Sequence, residues 1–447
     1  MRKDYIAPSW SLLAGSFFIS LFLCLAQIRG SQVMIILAIA AFLILSVAAC
    51  RKKNILCVLL YFLPWSPLLK MQPGGTSFFT IALIAICLYG LVIHRFELKL
   101  YQILLPSLLL ALTMTAKAIE GNSFSKAYLL FFCMLVLFPC ATREIADINL
   151  FYEQTVFFSV GIISAALTAQ RAVGYTNISR YINVASYLNI TRLSGYYGDA
   201  NFYCAQITAC LAGIMLLLTR ERRSARRFFS ACFAVLLLYC GLLSASKSFI
   251  VTVAVEFFVW ILLLLRRGNA GSIRFRILVG ILATALFIAS SSAFQGLLRM
   301  VSERFSFAYN ISGLTTGRTD VWEDYLREFA YNPKLLLLGE GFTNITLDTL
   351  RNKATHNTIL QGIYQFGILG FPLLMVWVYK FITTLTEGTY EKADIMAVLL
   401  LCAGTVLPWF GIDILFFDEF FLLPAFVTSG VMYYSEDIQD ETEIVLE

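Results

Sequence analysis

Residues 32–49 have the sequence QVMIILAIAAFLILSVAA, a run of apolar and small residues without a single charge. A helix needs about 20 mostly apolar residues to cross a bilayer, and this run is close to that length. Of the 447 residues in the chain, 59% are hydrophobic and 14% are charged, whereas an ordinary soluble domain carries about 25% charged residues. A water-soluble core cannot hide so much apolar surface. The sequence therefore predicts a polytopic membrane protein.

Similar runs recur along the whole chain and predict an all-α fold with about 12–14 transmembrane helices. The predicted spans lie near residues 11–28, 32–49, 55–69, 77–93, 102–117, 127–141, 153–170, 201–219, 229–244, 248–265, 277–296, 357–383, 395–410 and 415–434. The third span contains Pro64-Trp65-Ser66-Pro67 and is expected to end early or kink there. We expect residues 1–447 to form one integral membrane domain.

The distribution of arginine and lysine predicts the orientation of these spans. When the N-terminus is placed in the cytoplasm, alternation puts nearly every dense basic cluster on the cytoplasmic side, as the positive-inside rule requires. These clusters fall within residues 51–53, 95–99, 220–227 and 266–276. We therefore expect both termini in the cytoplasm and the protein in the cytoplasmic membrane. The cytoplasmic basic clusters account for the net charge of +6, so no nucleic-acid partner is expected.

Two loops predicted on the outer face are too long to be simple connectors. The first long loop covers residues 171–200, and the second long loop covers residues 297–356. Within the second long loop, apolar residues recur at intervals of three and four. This pattern predicts an amphipathic helix that lies over the outer opening of the helix bundle and ends at Asn332-Pro333. The residues that form this pattern are Val321, Trp322, Tyr325, Leu326, Phe329 and Ala330.

The first long loop offers polar residues near the start of the following helix. Asp199 or Asn201 can cap that helix by accepting hydrogen bonds from free backbone amides. Arg192 stands a few residues earlier, and an arginine beside a positive helix end suits an anionic phosphate. Interfacial arginines also bind lipid headgroups, so both interpretations of Arg192 stay open.

The second long loop and a short turn add further cations. Arg318 is predicted at the start of the amphipathic helix. There it either faces the same outer opening of the bundle as Arg192 or pairs with Asp320 or Glu323. Lys247 follows a small polar turn, although interfacial lysines are commonplace. His356, one of only two histidines, stands with Asn357 at the threshold of a long apolar helix.

These residues suggest chemistry that needs no metal or cofactor. The long loops show neither metal-ligand spacing nor a glycine loop for nucleotides, so the substrate itself must carry the energy. A lipid-linked diphosphate is already activated as a leaving group. Arginines can neutralise that leaving group, and an imidazole can take a proton from an acceptor hydroxyl or orient it.

The chain resembles the bacterial family of O-antigen ligases and of O-antigen and capsular polysaccharide polymerases, which are integral membrane glycosyltransferases. The resemblance rests first on a His-Asn-(nine residues)-Gly-x-x-Gly pattern at His356, Asn357, Gly367 and Gly370. The other matching stretches are Gly317-Arg318-x-x-x-Trp322, Asn332-Pro333, Gly339-Glu340-Gly341 and Arg192-x-x-Gly195 with Asp199-x-Asn201. The chain departs from the family at Lys247, where many members have arginine, and at Ala200, where proline is usual.

The resemblance implies a GT-C-like fold and a metal-independent transferase whose donor is a glycan on undecaprenyl diphosphate. Arg192 and Arg318 would bind the diphosphate, and His356 would activate or position the acceptor hydroxyl on a glycan or lipid. The further substrate-binding candidates are Asn357, Asp320, Asp199, Asn201 and Lys247, with Asp199 and Asp320 as alternative bases. A flippase and a chain-length regulator are the implied partners in the biosynthesis of lipopolysaccharide or capsule.

Several alternatives stay open. The motifs do not separate a polymerase from a ligase. A transporter of a glycolipid or anionic solute would need ionisable residues in mid-membrane, whereas the spans are almost free of charge at their centres and Asp413, Asp418 and Glu419 are expected at the interface. A non-catalytic scaffold would leave the cations of the long loops without a purpose. Gly362, Gly367 and Gly370 also fit a small-residue face for helix packing.

Overall fold

The computed structural model describes most of the chain, and the fold is all-α apart from one two-residue ladder. The described residues are 10–51, 54–71, 77–93, 98–120, 127–145, 150–179, 181–182, 186–187, 190–221, 223–266, 317–341, 355–385 and 394–446, with single positions at 295, 299, 302, 306, 313 and 315. The predicted span at 277–296 therefore lies almost wholly outside the described residues. In the first long loop, β1 (Ser186–Tyr187) pairs antiparallel with β2 (Ile190–Thr191).

The helices follow the predicted spans closely. Before the second long loop they are α1 (Trp10–Arg29), α2 (Gln32–Arg51), α3 (Ile55–Phe62), α4 (Phe78–Ile93), α5 (Leu100–Glu120), α6 (Ala127–Ile145), α7 (Phe151–Ala172), α8 (Ala200–Arg220), α9 (Ser224–Leu243) and α10 (Lys247–Arg266). The later helices are α11 (Arg318–Tyr331), α12 (Pro333–Leu338), α13 (Thr358–Leu385), α14 (Ile395–Val406) and α15 (Glu419–Leu446).

Within the described residues, eight helices are long and apolar enough to cross a membrane. Four shorter apolar segments, Ile55–Leu68, Phe78–Tyr89, Leu129–Pro139 and Ile395–Phe410, lie where the sequence predicts further spans. The prediction of an all-α polytopic membrane protein is confirmed.

The proline-containing third span is shaped as expected. Helix α3 ends at Phe62, and a 3₁₀ turn covers Leu63–Leu68, because proline cannot supply the amide that a continued α-helix needs. This turn is buried, and the indole of Trp65 donates a hydrogen bond to the Gly161 carbonyl of α7 over 3.2 Å. The turn thus packs against the middle of α7.

Helix α8 is the most buried of the long spans and lies among α7, α9, α10, α14 and α15. Its first turn is capped as predicted, because Asp199 Oδ1 accepts a hydrogen bond from the Asn201 amide over 2.8 Å. This cap fixes the end of the first long loop against the centre of the bundle.

Helix α11 is the predicted amphipathic helix, and its predicted end at Asn332-Pro333 is confirmed. Val321, Tyr325 and Phe329 are its buried residues. The Tyr325 ring packs edge-on against Tyr364 of α13, with the ring centroids 5.2 Å apart. The second long loop is therefore docked on α13 through an apolar face.

Helix α13 is broken at Gly367, which has φ 67° and ψ 178°. The break frees the carbonyls of Tyr364 and Gln365, which accept hydrogen bonds from the amides of Glu340 (2.7 Å) and Gly341 (2.9 Å). A side chain at Gly367 would collide with the Leu337 carbonyl of α12.

This arrangement adds a conformational role to the packing-face interpretation at one glycine. Gly370 does allow close helix packing, since an added Cβ there would lie 3.1 Å from Leu109 of α5. Gly367 also allows close packing, against the backbone of α12, and in addition it ends one helical segment. Its role is conformational, because only glycine adopts such a φ readily.

Candidate active site

The two arginines singled out in the sequence lie at one end of the bundle. Arg192 is held by the turn between α9 and α10, since its Nε donates to the Ser244 carbonyl over 2.9 Å. The neighbouring Leu193 amide donates to the Leu243 carbonyl over 3.1 Å. Among the described residues, none accepts a hydrogen bond from the two terminal amino groups of Arg192. As far as the described part of the chain goes, those donors are open to a ligand.

Asp199 and Asn201 form a relay beside this arginine. The Asn201 side-chain amide donates to Asp199 Oδ1 over 2.7 Å, and Ser246 Oγ donates to Asn201 Oδ1 over 2.8 Å. Both residues were predicted to bind substrate, but these contacts use their polar atoms to join the first long loop, α8 and the α9–α10 turn. The relay holds Asp199 near Arg192 as a counter-charge.

Arg318 approaches the same space from the second long loop. An added Cβ on Gly411 would lie 3.1 Å from both Arg318 Nη1 and Ser248 Oγ, so the guanidinium lies between the start of α10 and the turn after α14. The alternative pairing with Glu323 is wrong, because Glu323 pairs with Arg327 over 3.1 Å. In the described part of the chain, the Arg318 side chain makes no hydrogen bond or ion pair, with Asp320 or any other residue.

The electrostatics of this end favour an anionic ligand. Burial lowers the pKa of both Arg192 and Arg318, while the nearby Asp199 carboxylate opposes that shift in each. Each arginine stays protonated, because a guanidinium keeps its charge in proteins. Two partly buried cations thus share one carboxylate that already accepts two hydrogen bonds from Asn201. A multiply charged anion would supply the missing acceptors.

The third cation, Lys247, contacts the second long loop. Lys247 Nζ donates to the Gly313 carbonyl over 2.9 Å, which ties that loop to the first turn of α10. Asp320 lies in the first turn of α11, two residues from Arg318. Both remain predicted substrate ligands, and the contact of Lys247 also gives it a role in positioning the loop.

His356 is held in an unusual backbone conformation. Its φ is 46°, and Ala245 in the α9–α10 turn, with φ 49°, is the other described non-glycine residue with a positive value. Left-handed conformations cost a residue with a side chain on the order of 1 kcal/mol or more, and they cluster at functional sites. Both strained residues lie at the arginine end of the bundle.

Two neighbours hold His356 from either side. Asn357 caps α13, since its Oδ1 accepts from the amides of Ile359 (3.0 Å) and Leu360 (3.2 Å). Trp322 Nε1 donates to the Thr355 carbonyl over 2.8 Å. Asn357 is 5% exposed. Its main role is therefore to cap α13 and position the neighbouring imidazole, and direct contact with a substrate is secondary.

Sequence reasoning missed Asp413 as a site residue. Thr358, the first residue of α13, donates through Oγ1 to the Ile412 carbonyl (2.8 Å) and accepts from the Ile414 amide (3.2 Å). Asp413 therefore lies opposite the start of the helix that follows His356. Burial raises the pKa of the Asp413 carboxyl to about 7, which suits a group that exchanges protons near neutrality.

The other two acidic residues of this turn also contact the helix bundle, and their expected position at the membrane interface stays a prediction. Glu419 is 1% exposed and accepts a hydrogen bond from Gln206 over 2.8 Å. Thr80 donates to Asp418 over 3.0 Å, and burial together with the Glu419 charge raises the pKa of Asp418 to about 7. Three carboxylates in one short turn were the signal in the sequence.

A cleft of about 80 Å³ opens beside Arg192 between the ends of α7 and α9. Its other lining residues include Ala169, Gln170, Val173, Ile182, Leu193 and Leu243. The cleft combines one cation with mainly apolar walls, so it matches an amphiphilic ligand.

The fold and the site define a polytopic membrane protein with a cation-lined site built from two long loops and the ends of α10, α13 and α14. A family model described as O-antigen ligase matches residues 232–375, a segment that contains Lys247, Arg318 and the His356 motif. This match supports the resemblance to the O-antigen ligase family over that segment of the chain. The match supports a membrane enzyme of the ligase or polymerase type. No curated protein matched the sequence.

Proposed function

We propose that the protein is a metal-independent glycosyltransferase that takes a glycan from undecaprenyl diphosphate at the outer face of the cytoplasmic membrane. It transfers this glycan to a growing surface polysaccharide or to a lipid acceptor. The observation that carries the proposal is the convergence of Arg192 and Arg318 near the start of the helix that follows His356. The two arginines come from separate loops, and each has side-chain donors that no described residue uses.

The arginine pair fits the leaving group. A diphosphate offers several oxygens to two guanidinium groups, each of which can donate two parallel hydrogen bonds. As the bond between the anomeric carbon and the diphosphate oxygen breaks, negative charge grows on that oxygen. Partly buried cations stabilise this charge more strongly than they would in water.

The cleft beside Arg192 supports a lipid carrier. Its volume of about 80 Å³ is on the scale of a few methylene-sized groups, since one water occupies about 30 Å³ in the liquid. The first prenyl unit of the carrier would lie there, with the diphosphate at the arginine and the rest of the chain among the lipids.

The proton chemistry falls to His356, with Asp413 as a second acceptor. The imidazole takes the proton from the acceptor hydroxyl, or orients it, as the oxygen attacks the anomeric carbon with inversion. Asp413, near the start of α13, titrates near neutrality. Asp199 is less suited to this role because the Asn201 backbone and side chain both donate to it.

Transport is the second candidate, because one observation favours it. Glu256 lies near the middle of α10, is 0% exposed, and has no hydrogen-bond partner for either carboxyl oxygen among the described residues. The sequence analysis, which described the spans as almost free of charge at their centres, did not name Glu256. Intramembrane carboxyl groups often mark transport paths. Uptake of a glycolipid into proteoliposomes without any covalent product would support transport.

The first experiment is the glycan ladder of a host that lacks the gene and carries a plasmid-borne wild-type or His356→Ala copy. Single repeat units in place of the ladder identify a polymerase, whereas long chains that accumulate on the lipid diphosphate identify a ligase. We expect His356→Ala to fail in complementation, while His94→Ala, which changes the other histidine, complements fully. An unchanged ladder after deletion would show that the proposed substrate is wrong.

A further inference from the structure

We propose that Trp322 is a positioning residue that holds His356 in its reactive conformation through the hydrogen bond from its indole nitrogen to the Thr355 carbonyl. The proposal rests on the proposed role of His356 and adds a residue to that site. Its basis is the 2.8 Å contact between Trp322 Nε1 and the residue directly before the histidine.

The backbone at His356 needs support from both sides. Its φ of 46° is unfavourable for any residue with a side chain, and such a conformation persists only where the surroundings impose it. On the C-terminal side, Asn357 caps α13. On the N-terminal side, the Thr355 hydroxyl binds Asn357, and the Thr355 carbonyl is fixed from outside the segment by Trp322.

Helix α11 brings this support to the site together with Arg318. Arg318 and Trp322 are four residues apart, so they lie on the same side of the helix, one turn from each other. The helix is anchored by Tyr325, which is 0% exposed and packs against Tyr364 of α13. Helix α11 therefore fixes both the position of the Arg318 guanidinium, which binds the leaving group, and the orientation of the His356 imidazole.

The geometry matters because transfer depends on alignment. A displacement of about 1 Å in a catalytic group can lower the rate by roughly a hundredfold. Loss of the Trp322 hydrogen bond would let Thr355 and His356 relax, while Arg192 and Arg318 keep their places. The expected signature is a lower kcat at an unchanged affinity for the donor.

The decisive variant is Trp322→Phe, which keeps an aromatic ring and removes only the N–H donor. We expect kcat to fall about tenfold or more, with the donor KM within about twofold of wild type. The matched control is Trp377→Phe, since Trp377 Nε1 donates to the Leu135 carbonyl over 2.9 Å deep in α13. This control should lower the melting temperature and leave kcat unchanged. Wild-type kcat in Trp322→Phe would overturn the inference.

A second readout does not depend on turnover. The chain has two histidines, so in a His94→Gln background every imidazole NMR signal comes from His356. We expect Trp322→Phe to shift the chemical shifts and the titration midpoint of His356, and Trp377→Phe to leave them unchanged. A fall in activity with an unaltered imidazole signal and a lower melting temperature would mean a purely structural role and would also overturn the inference.

Comparison with His356→Ala separates this inference from the proposed function. If His356→Ala is inactive and Trp322→Phe behaves as wild type, the positioning role fails and the proposed function stands. If His356→Ala retains full activity on a lipid-linked donor, the proposed role of the histidine fails, and the positioning role fails with it. Where His356→Ala leaves residual activity, adding Trp322→Phe should lower it less than twofold, because residues that act as a unit are not additive.

Discussion

The two long loops each deliver one arginine to the same site, but they hold it differently. Arg192 of the first loop is tied to the bundle through Nε and the Ser244 carbonyl, so one of its donors is used for orientation. Arg318 of the second loop is oriented by helix α11, and its side chain makes no hydrogen bond within the described residues. The comparison indicates that the first loop supplies an arginine whose orientation is fixed by one hydrogen bond. The second loop supplies an arginine that can offer all of its side-chain donors to a ligand.

The largest expected effect tests this difference between the arginines. Arg318→Ala should lower kcat/KM about 10³-fold, and Arg192→Ala about 10²-fold, because Arg318 can offer its full set of donors to the departing diphosphate. Arg327→Ala is the control, since Arg327 lies on the same helix but its side chain is 59% exposed. The assay is transfer from a purified lipid-linked repeat unit. A greater loss in Arg192→Ala than in Arg318→Ala would contradict the prediction that Arg318 contributes more to stabilising the departing diphosphate.

The next prediction concerns how the second loop is seated. Gly367→Ala places a side chain against the Leu337 carbonyl at a φ of 67°, so we expect a loss of about 2–4 kcal/mol in stability. Gly370→Ala meets the Phe366 Cβ at 3.0 Å and the Leu109 Cδ1 at 3.1 Å. It should cost less, because φ is ordinary there, the Leu109 side chain can rotate, and the Phe366 Cβ has to move by only a few tenths of an ångström.

Thermal unfolding in detergent measures both glycine variants, and limited proteolysis of residues 317–341 reports on the second loop. Gly367→Ala should expose this segment to cleavage while the segment of the first loop around Arg192 stays protected. Equal losses in the two variants would show that the break in α13 does not seat the loop.

The parts of this site that the sequence predicted are those set by local rules. The Asp199 cap and the end of α11 at Asn332-Pro333 depend on residues within one or two helical turns, so a pattern in the sequence is sufficient. Arg192, Arg318 and His356 were found because their residue types and spacing at predicted helix ends are unusual in an apolar chain.

The parts that were missed depend on contacts between distant segments. The break at Gly367 is satisfied by the amides of Glu340 and Gly341, which no periodicity within α13 reveals. Asp413 reaches the site because Thr358 binds the backbone on both sides of it. Helix packing decides such contacts, so a single sequence carries little signal for them.

The smallest expected effect comes from Asp413, in the turn whose Gly411 borders the Arg318 guanidinium. Burial raises its pKa to about 7 in the folded protein, whereas an unfolded aspartate titrates near 3.9. Between these values the folded state binds the extra proton, so the contribution of Asp413 to stability is greatest below about pH 4. It is lost progressively as the pH rises to about 7.

Asp413→Asn removes this loss and keeps an oxygen that can accept from the Leu415 amide, as Asp413 does over 3.3 Å. The variant should gain about 1–2 kcal/mol relative to wild type at pH 8, after a discount for the partial exposure of the carboxyl, and little at pH 4. Melting temperatures across this range measure the difference. A gain that is the same at every pH would mean that Asp413 does not titrate in this window, and its proposed role as a second proton acceptor would fail.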